Sequence, residues 1–340
     1  MPQIPAIPRN YANVLADKPQ DYSDCENTTI DREDGGNYKL IKEISKGYSS
    51  KVYEARHIPT RDIIVCKVLK ANCQQILKRE VKILKTLSKG INIINLLGVT
   101  HFSSLSADAM LFEKMDTCFH DIFMELDEYH IKYYGLQILQ ALDYSHSKGI
   151  MHCDIKPHNI MVDIADKKLK LIDWGVAEFY EPQKQYTTKV CTRYYMAPEL
   201  LTDFKYYNYA VDMWSVGCIF ASMIFHKKPF FNGKDKFEQL KKVVKVLGSD
   251  NLRDYLSKYD IMLHPVYDIL LFPYEEISFT VFKNDCNKHL VNEDSCSLIQ
   301  SLLCFDPAQR ATATETINHQ YFSNMSEPLQ NGAGPSTSTS

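Results

Sequence analysis

No Cys-x-x-Cys pair occurs among the ten cysteines of this 340-residue chain, and no close Cys/His group has zinc-ligand spacing. A local zinc site or a thioredoxin-like motif is therefore not encoded, and reduced thiols are the plain reading. Long apolar runs are missing too. The most hydrophobic stretch, Met213 to Phe225, is bordered by Asp212 and by His226-Lys227-Lys228 and is too short for a bilayer crossing, so it reads as a buried helix. The opening segment, Met1 to Asn10, holds three prolines and lacks both the basic and the continuous apolar part of a secretory signal; cytoplasm or nucleus is the expected location. Charge of one sign is not in excess either. The formal net charge of -3 argues against bulk attraction to nucleic acid or to an anionic membrane, and neither is expected as a partner. No internal repeat is visible.

What is present is the balance of a globular enzyme, with 45% hydrophobic and 24% charged residues. The length exceeds that at which single cores stop growing, which predicts one bilobal unit or two domains. Residues 1–37 are polar and turn-rich and read as an N-terminal extension. From Tyr38 to Met115 the pattern predicts short strands at Tyr38–Ser45, Lys51–His57 and Ile63–Leu69, a helix around Gln75–Leu87, and two further strands. In that helix Leu77, Val81 and Leu84 form an apolar stripe, and Gly90 provides a stop. Beyond Met115 long helices dominate. The clearest, Asp127–Ser147, carries Ile131, Tyr134, Ile138, Leu142 and Ser145 on one face and ends at Gly149. Short strands, Ile150-Met151-His152 and Lys168–Ile172, flank a polar loop. The end of the chain, with its Gly/Ser/Thr/Pro-rich residues from Asn331 to Ser340, reads as a flexible tail over 323–340.

The chemistry concentrates in a few places. Lys67 ends the apolar run Ile63-Ile64-Val65-Cys66, where an ammonium needs a partner, and Glu80 on the following helix could supply one. Alone, this pair says little, because lysines at strand ends usually reach solvent. The decisive segment is His152-Cys153-Asp154-Ile155-Lys156-Pro157-His158-Asn159, followed by Asp173-Trp174-Gly175 and Ala197-Pro198-Glu199. In order and spacing these match the catalytic loop, the metal-binding turn and the end of the activation segment of protein kinases.

The chain thus resembles protein kinases over about Tyr38 to Phe322, which implies an α+β, bilobal fold: a β-rich small lobe, 38–115, and a larger helical lobe, 116–322. The resemblance implies ATP and Mg²⁺ as cofactors, with Asp173 and Asn159 as metal ligands. Lys67 would orient the α- and β-phosphates with Glu80 fixing it, and Asp154 would orient the substrate hydroxyl and accept its proton. Lys156 would neutralise the γ-phosphate, and its type points to serine/threonine rather than tyrosine as acceptor. Arg310 would clamp Glu199, and Asp212 would brace the catalytic loop. Trp174, Lys156-Pro157-His158-Asn159, Ala177-Glu178-Phe179-Tyr180, Pro229-Phe230-Phe231 and Lys245-Val246-Leu247-Gly248 are similar to the catalytic (alpha) subunit of casein kinase II. This closer resemblance implies acidic protein substrates read partly by Lys189 and Arg193, and it admits GTP beside ATP. It further implies a regulatory beta subunit on the outer face of the small-lobe sheet near Leu40, Tyr53 and Cys66, provided apolar residues are exposed there. The adenine slot would be lined by Val52, Val65, Phe112, Met161 and Ile172, with Glu113 and Met115 offering hinge backbone groups.

The departures are specific. The phosphate loop, Ser45-Lys46-Gly47-Tyr48-Ser49-Ser50, keeps one glycine where the pattern has at least two, and it is tolerable if Ser45 stays extended. Cys153 replaces the arginine that grips a phosphorylated activation segment. Ser23 and Cys25 stand where the family packs aromatic residues on that segment, which leaves its constitutive locking open. Met196 stands where the family has lysine, and the lysine run before the small-lobe helix is reduced to Cys73-Gln74-Gln75-Ile76. A weakened pseudokinase or scaffold that binds nucleotide or a regulatory subunit is accordingly the competing reading.

Overall fold

The structure is a computed structural model that describes residues 3–47, 49–189 and 192–325. The tail from 326 onward, and with it the expected Gly/Ser/Thr/Pro-rich stretch, lies outside the described residues.

Alternating β-branched and polar residues build the first sheet from β1 (Glu33–Asp34), β2 (Tyr38–Lys46), β3 (Ser50–His57), β4 (Ile63–Leu69), β5 (Leu96–Phe102) and β6 (Ala107–Glu113). Its order is β1-β5-β6-β4-β3-β2, and all pairings are antiparallel except β1 with β5. One face packs on α1 (Gln74–Thr86), whose Leu77, Val81 and Leu84 are buried as the stripe predicts. The other face holds a separate small cluster of Ala55, Ile64, Cys66, Val68, Phe102, Ala109 and Leu111.

The rest of the chain is mainly helical. A short β7 (Thr117–Cys118) and α2 (Phe119–Ile122) lead into α3 (Glu128–Ser147), capped by Asp127, whose side chain accepts from the His130 N–H. All five residues of its expected face are buried. Gly149 follows with φ +78°, a left-handed end that a side chain would strain. The strands β8 (Ile150–Met151), β9 (Ile160–Asp163), β10 (Lys168–Leu171) and β11 (Glu178–Phe179) frame the loops of the cleft. The two strands expected to flank the polar loop are both present, but they do not pair with each other. β8 pairs with β11, and β10 pairs with β9. Behind them lie α4 (Pro198–Leu201), α5 (Ala210–Ile224), α6 (Lys236–Leu247), α7 (Ser249–Lys258), α8 (Glu293–Leu302) and α9 (Ala313–Ile317). Every residue of α5 is buried, as expected for the Met213–Phe225 run. Among the described residues no helix is long and apolar enough to cross a membrane.

The polar extension is held along its length by side chains of both lobes. Ala6 is buried and its carbonyl accepts from Asn208, Tyr11 donates its hydroxyl to Asp143, and Tyr22 donates to the Lys148 carbonyl. Lys78 and Lys82 of α1 donate to the carbonyls of Glu26 and Asp21. These bonds are scattered, with no period to betray them in the sequence.

Candidate functional site

β4 delivers Lys67 and α1 delivers Glu80 to the inner side of the sheet. The Lys67 Nζ lies 2.7 and 2.9 Å from the two Glu80 oxygens and 2.7 Å from Asp173 Oδ1. Lys67 is 8% and Glu80 1% exposed, so each ion would be costly to bury without the other. Desolvation lowers the Lys67 ammonium, but the Glu80 and Asp173 carboxylates overrule it and leave its pKa raised. Burial pushes Glu80 up in spite of Lys67. For Asp173 burial also pushes up, and there the Lys67 charge prevails and holds the carboxyl below its ordinary value.

The polar loop after β8 carries the second group. Asp212, in the first turn of α5, accepts the backbone N–H groups of His152 (2.9 Å) and Cys153 (2.8 Å) and also meets His146 Nε2 at 2.9 Å. This fixes Cys153 at φ +65°, a conformation that costs a side-chain-bearing residue about 1–2 kcal/mol. The strained turn presents Asp154. Its Oδ2 accepts from Lys156 Nζ (2.7 Å) and Asn159 Nδ2 (3.0 Å), and its Oδ1 from the Thr192 N–H (3.0 Å). Lys156 also reaches Thr192 Oγ1 at 3.0 Å.

Two members of this group were given no role beside Asp154 by sequence reasoning. Thr192 follows no motif that reveals its contact with a residue 38 positions earlier. His152 was read only as part of the loop, yet its Nδ1 accepts from the Asp154 N–H (3.2 Å), which leaves Nε2 to donate to the Ile172 carbonyl (3.1 Å). That ring joins the loop of Asp154 to the turn of Asp173, itself at φ +60°. Trp174 donates its indole N–H to the Leu171 carbonyl at 3.3 Å.

A divalent metal fits the donors present. Asn159 spends its amide N–H groups on the Asp154 carbonyl and carboxylate, which leaves Oδ1, and Asp173 Oδ2 is not used by Lys67. Both are hard oxygen donors of the kind Mg²⁺ takes.

The remaining expected residues are placed as follows. Val52, Val65, Met115, Met161 and Ile172 are half-buried and Phe112 is buried. The Glu113 carboxylate accepts from Lys170 and from the Asn95 N–H, both at Oε1. Ser45 and Lys46 pair with Val52 and Lys51, and neither Ser45 nor Gly47 has positive φ. The single-glycine loop therefore carries no backbone strain at these two positions. Lys70 ties it down, its Nζ on the Gly47 carbonyl at 2.7 Å. Arg310 grips both Glu199 oxygens at 2.9 and 3.1 Å, with both side chains fully buried. Of the cations expected to read substrate, Lys189 is exposed, whereas Arg193 is held by the Gly233 carbonyl and lies over the Tyr194 ring. Arg79 pairs with Glu178.

Ser23 and Cys25 bring no aromatic ring to the segment after Asp173, but a neighbouring residue does. The Tyr22 ring meets Phe179 edge-on at 5.7 Å.

A buried lysine between two carboxylates and an aspartate fixed beside a lysine and an asparagine form a charged cleft suited to a polyanion and a hydroxyl acceptor. A family model for the protein kinase domain matches residues 38–322, the span that contains all of these groups. With that match, the chain belongs to the protein kinase family, phosphotransferases that bind ATP and work with a divalent metal.

Proposed function

We propose that this kinase is a serine/threonine enzyme of the casein kinase II alpha type, transferring the γ-phosphate of ATP to Ser or Thr of acidic proteins with Mg²⁺ as the metal. The observation that carries the reading is the assembled site, with Lys67 already between Glu80 and Asp173 and Asp154 already aimed by Thr192, Lys156 and Asn159. Phosphoryl transfer asks for positioning and charge more than for covalent chemistry, so a preformed cluster of this kind is most of what a catalyst needs. Bound metal supplies charge neutralisation at the phosphate oxygens, from Asp173 and Asn159. Lys67 holds the α- and β-phosphates. Asp154 orients the acceptor hydroxyl and takes its proton at a carboxylate oxygen, while Lys156 beside it offsets charge on the transferring group. Lys156 and Thr192 close around Asp154, which suits a short acceptor side chain.

Acidic substrates would be read chiefly by Lys189, with Arg193 reduced to a supporting role by its internal bonds. GTP is accepted to the extent that the hinge is read through the backbone of Glu113 and Met115. A beta-type regulatory subunit would meet Leu40 and Tyr53, both half-buried, above the buried Cys66.

The single-glycine loop favours the second reading, a nucleotide-binding scaffold with little transfer. The experiment offers Mg-ATP and acidic peptides whose one acceptor is Ser, Thr or Tyr. Label on Ser and Thr peptides supports the proposal. Label confined to Tyr, or ATP binding with no label on any peptide, would overturn it.

A further inference from the structure

Ser23 lies in an irregular turn of the extension and lines an open cavity of about 810 Å³ between that extension, the start of α1 and the segment after β11. Its hydroxyl has no hydrogen-bond partner among the described residues and it is half-exposed. The cavity also contains Lys78 and Arg79 of α1 and Lys184 of the activation segment, against Asp24, Glu26 and Glu178. The cations are not all neutralised. Lys78 donates only to the Glu26 carbonyl, and Arg79, though paired with Glu178, has a buried Nε with no acceptor. Lys184 is paired with Glu181 and Arg79 with Glu178, so among the described residues Lys78 is the cation of this cavity left without a carboxylate, beside a hydroxyl that has no partner either.

We propose that Ser23 is a phosphorylation site, modified by a second copy of this kinase, and that its phosphate is received by Lys78 and Arg79 and joins the extension to α1 and the activation segment. Asp24 and Glu26, one and three residues after Ser23, give it the acidic context of the substrate class proposed above, so the modifying step rests on that reading. In that step the Ser23 oxygen bonds to the γ-phosphorus of ATP and the bond from that phosphorus to the β,γ-bridging oxygen breaks. ADP leaves with the electron pair, and the hydroxyl proton passes to Asp154 of the second copy. The product carries close to two negative charges and three acceptor oxygens. Charge-assisted bonds to Lys78 and to the part-exposed Arg79 guanidinium offset repulsion from the exposed Asp24, whose carboxylate already accepts from Asn27. A phosphate here would add to the hold that the Tyr22–Phe179 contact gives the segment after β11.

The test uses the full-length Asp154→Asn chain as substrate for the wild type with Mg-ATP, beside an acidic control peptide, with sites assigned by mass spectrometry. Phosphate on Ser23, slowed by Asp24→Asn with Glu26→Gln, is expected. A labelled control peptide with Ser23 left bare overturns the inference and spares the assigned function; a bare control peptide overturns the function and the modifying step with it. Reception of the phosphate is tested separately, with phosphoserine installed at position 23 during translation. Amide hydrogen exchange over residues 21–29 should slow by roughly tenfold, and Lys78→Ala should remove most of that protection. Unchanged or faster exchange would show that the cavity does not receive the phosphate.

Discussion

Lys67 sits where two requirements meet: it must present charge to a nucleotide, and it must neutralise Glu80 in the small-lobe interior. Lys67→Met should abolish transfer, as should Asp173→Ala, because each removes a charge aimed at the triphosphate or its metal. The two variants differ in stability. Asp173 has 48% of its side-chain surface open, so its loss leaves the fold intact. Lys67→Met strands Glu80, and removing one member of a buried pair costs about 3–5 kcal/mol unless the survivor takes up a proton. Burial already raises the Glu80 pKa, and without Lys67 it rises further. A raised carboxyl is unpenalised below its unfolded pKa of about 4.3 and increasingly penalised as pH climbs through the folded value. The melting-temperature deficit of Lys67→Met should therefore be larger at pH 8 than at pH 5. A deficit independent of pH would mean that Glu80 finds another partner.

Asp108 shows the opposite sign. Its carboxylate accepts from Arg32 of the extension (2.9 Å) and Gln74 at the start of α1 (2.8 Å), and it meets His101 of β5 at 2.8 Å. Burial raises this carboxyl, and the three partners outweigh it, lowering the pKa to about 2. Its contribution to stability is present above the unfolded value of about 3.9 and fades as pH falls toward 2. The stability gap between wild type and Asp108→Asn, measured in urea, should be full at pH 6 and narrower at pH 3. A gap that widens in acid would contradict the assignment.

Among the elements, α1 and the segment after β11 decide whether the site is assembled, and both are held by fixed contacts. Tyr186 donates to the Phe179 carbonyl, Tyr207 donates to the Thr187 carbonyl, and Arg79 pairs with Glu178. Cys153 offers no cation to a phosphate on Thr187, Thr188 or Thr192, and Thr188 is already bonded to Asp203. Activity should survive phosphatase treatment of the activation segment, and an enzyme silenced by that treatment would need a basic partner not visible among these contacts. Tyr22→Ala should lower activity severalfold. The edge-on contact with Phe179 is worth about 0.5–1.5 kcal/mol, and the hydroxyl bond to Lys148 is lost with it.

These elements also mark what the sequence could and could not convey. Periodicity located α1 and α3, because their stripes face a core and a 3.6-residue repeat has no other cause. The motif residues drew attention to Lys67, Asp154 and Asp173, because few alternatives place so much charge in so few residues. β9 and β11 escaped, being defined by the strands they pair with, β10 and β8. Thr192 escaped for the same reason, since its backbone N–H and its hydroxyl reach Asp154 and Lys156 only through the fold. The extension looked structureless because its anchors, Ala6, Tyr11 and Tyr22, dock one at a time on surfaces built from distant segments.

Over the whole molecule, substrate choice follows from which cations remain open. Arg193 and Arg79 are committed to internal partners, and Lys78 holds the extension. If acidic substrates are read as proposed, the exposed Lys189 would be the main reader, and one exposed pair is worth about 0.2–1 kcal/mol, a factor of roughly 1.4–5. Preference for Asp over Ala after the acceptor serine should be modest, should shrink further at high salt, and should fall to near unity in Lys189→Ala. A large preference in that variant would mean that Arg193 leaves Gly233 when substrate binds.

The whole molecule is finally a claim about transfer, as distinct from nucleotide binding. The direct measurement is incorporation of label from γ-labelled ATP into an acidic serine peptide by wild type and by Asp154→Asn, each with its ATP affinity determined separately. Wild type should incorporate label, Asp154→Asn should lose about 10²- to 10⁴-fold, and the two should bind ATP with similar affinity. Wild type that binds ATP yet transfers no more label than Asp154→Asn would contradict the claim of transfer, and would make the chain a scaffold built on a kinase site.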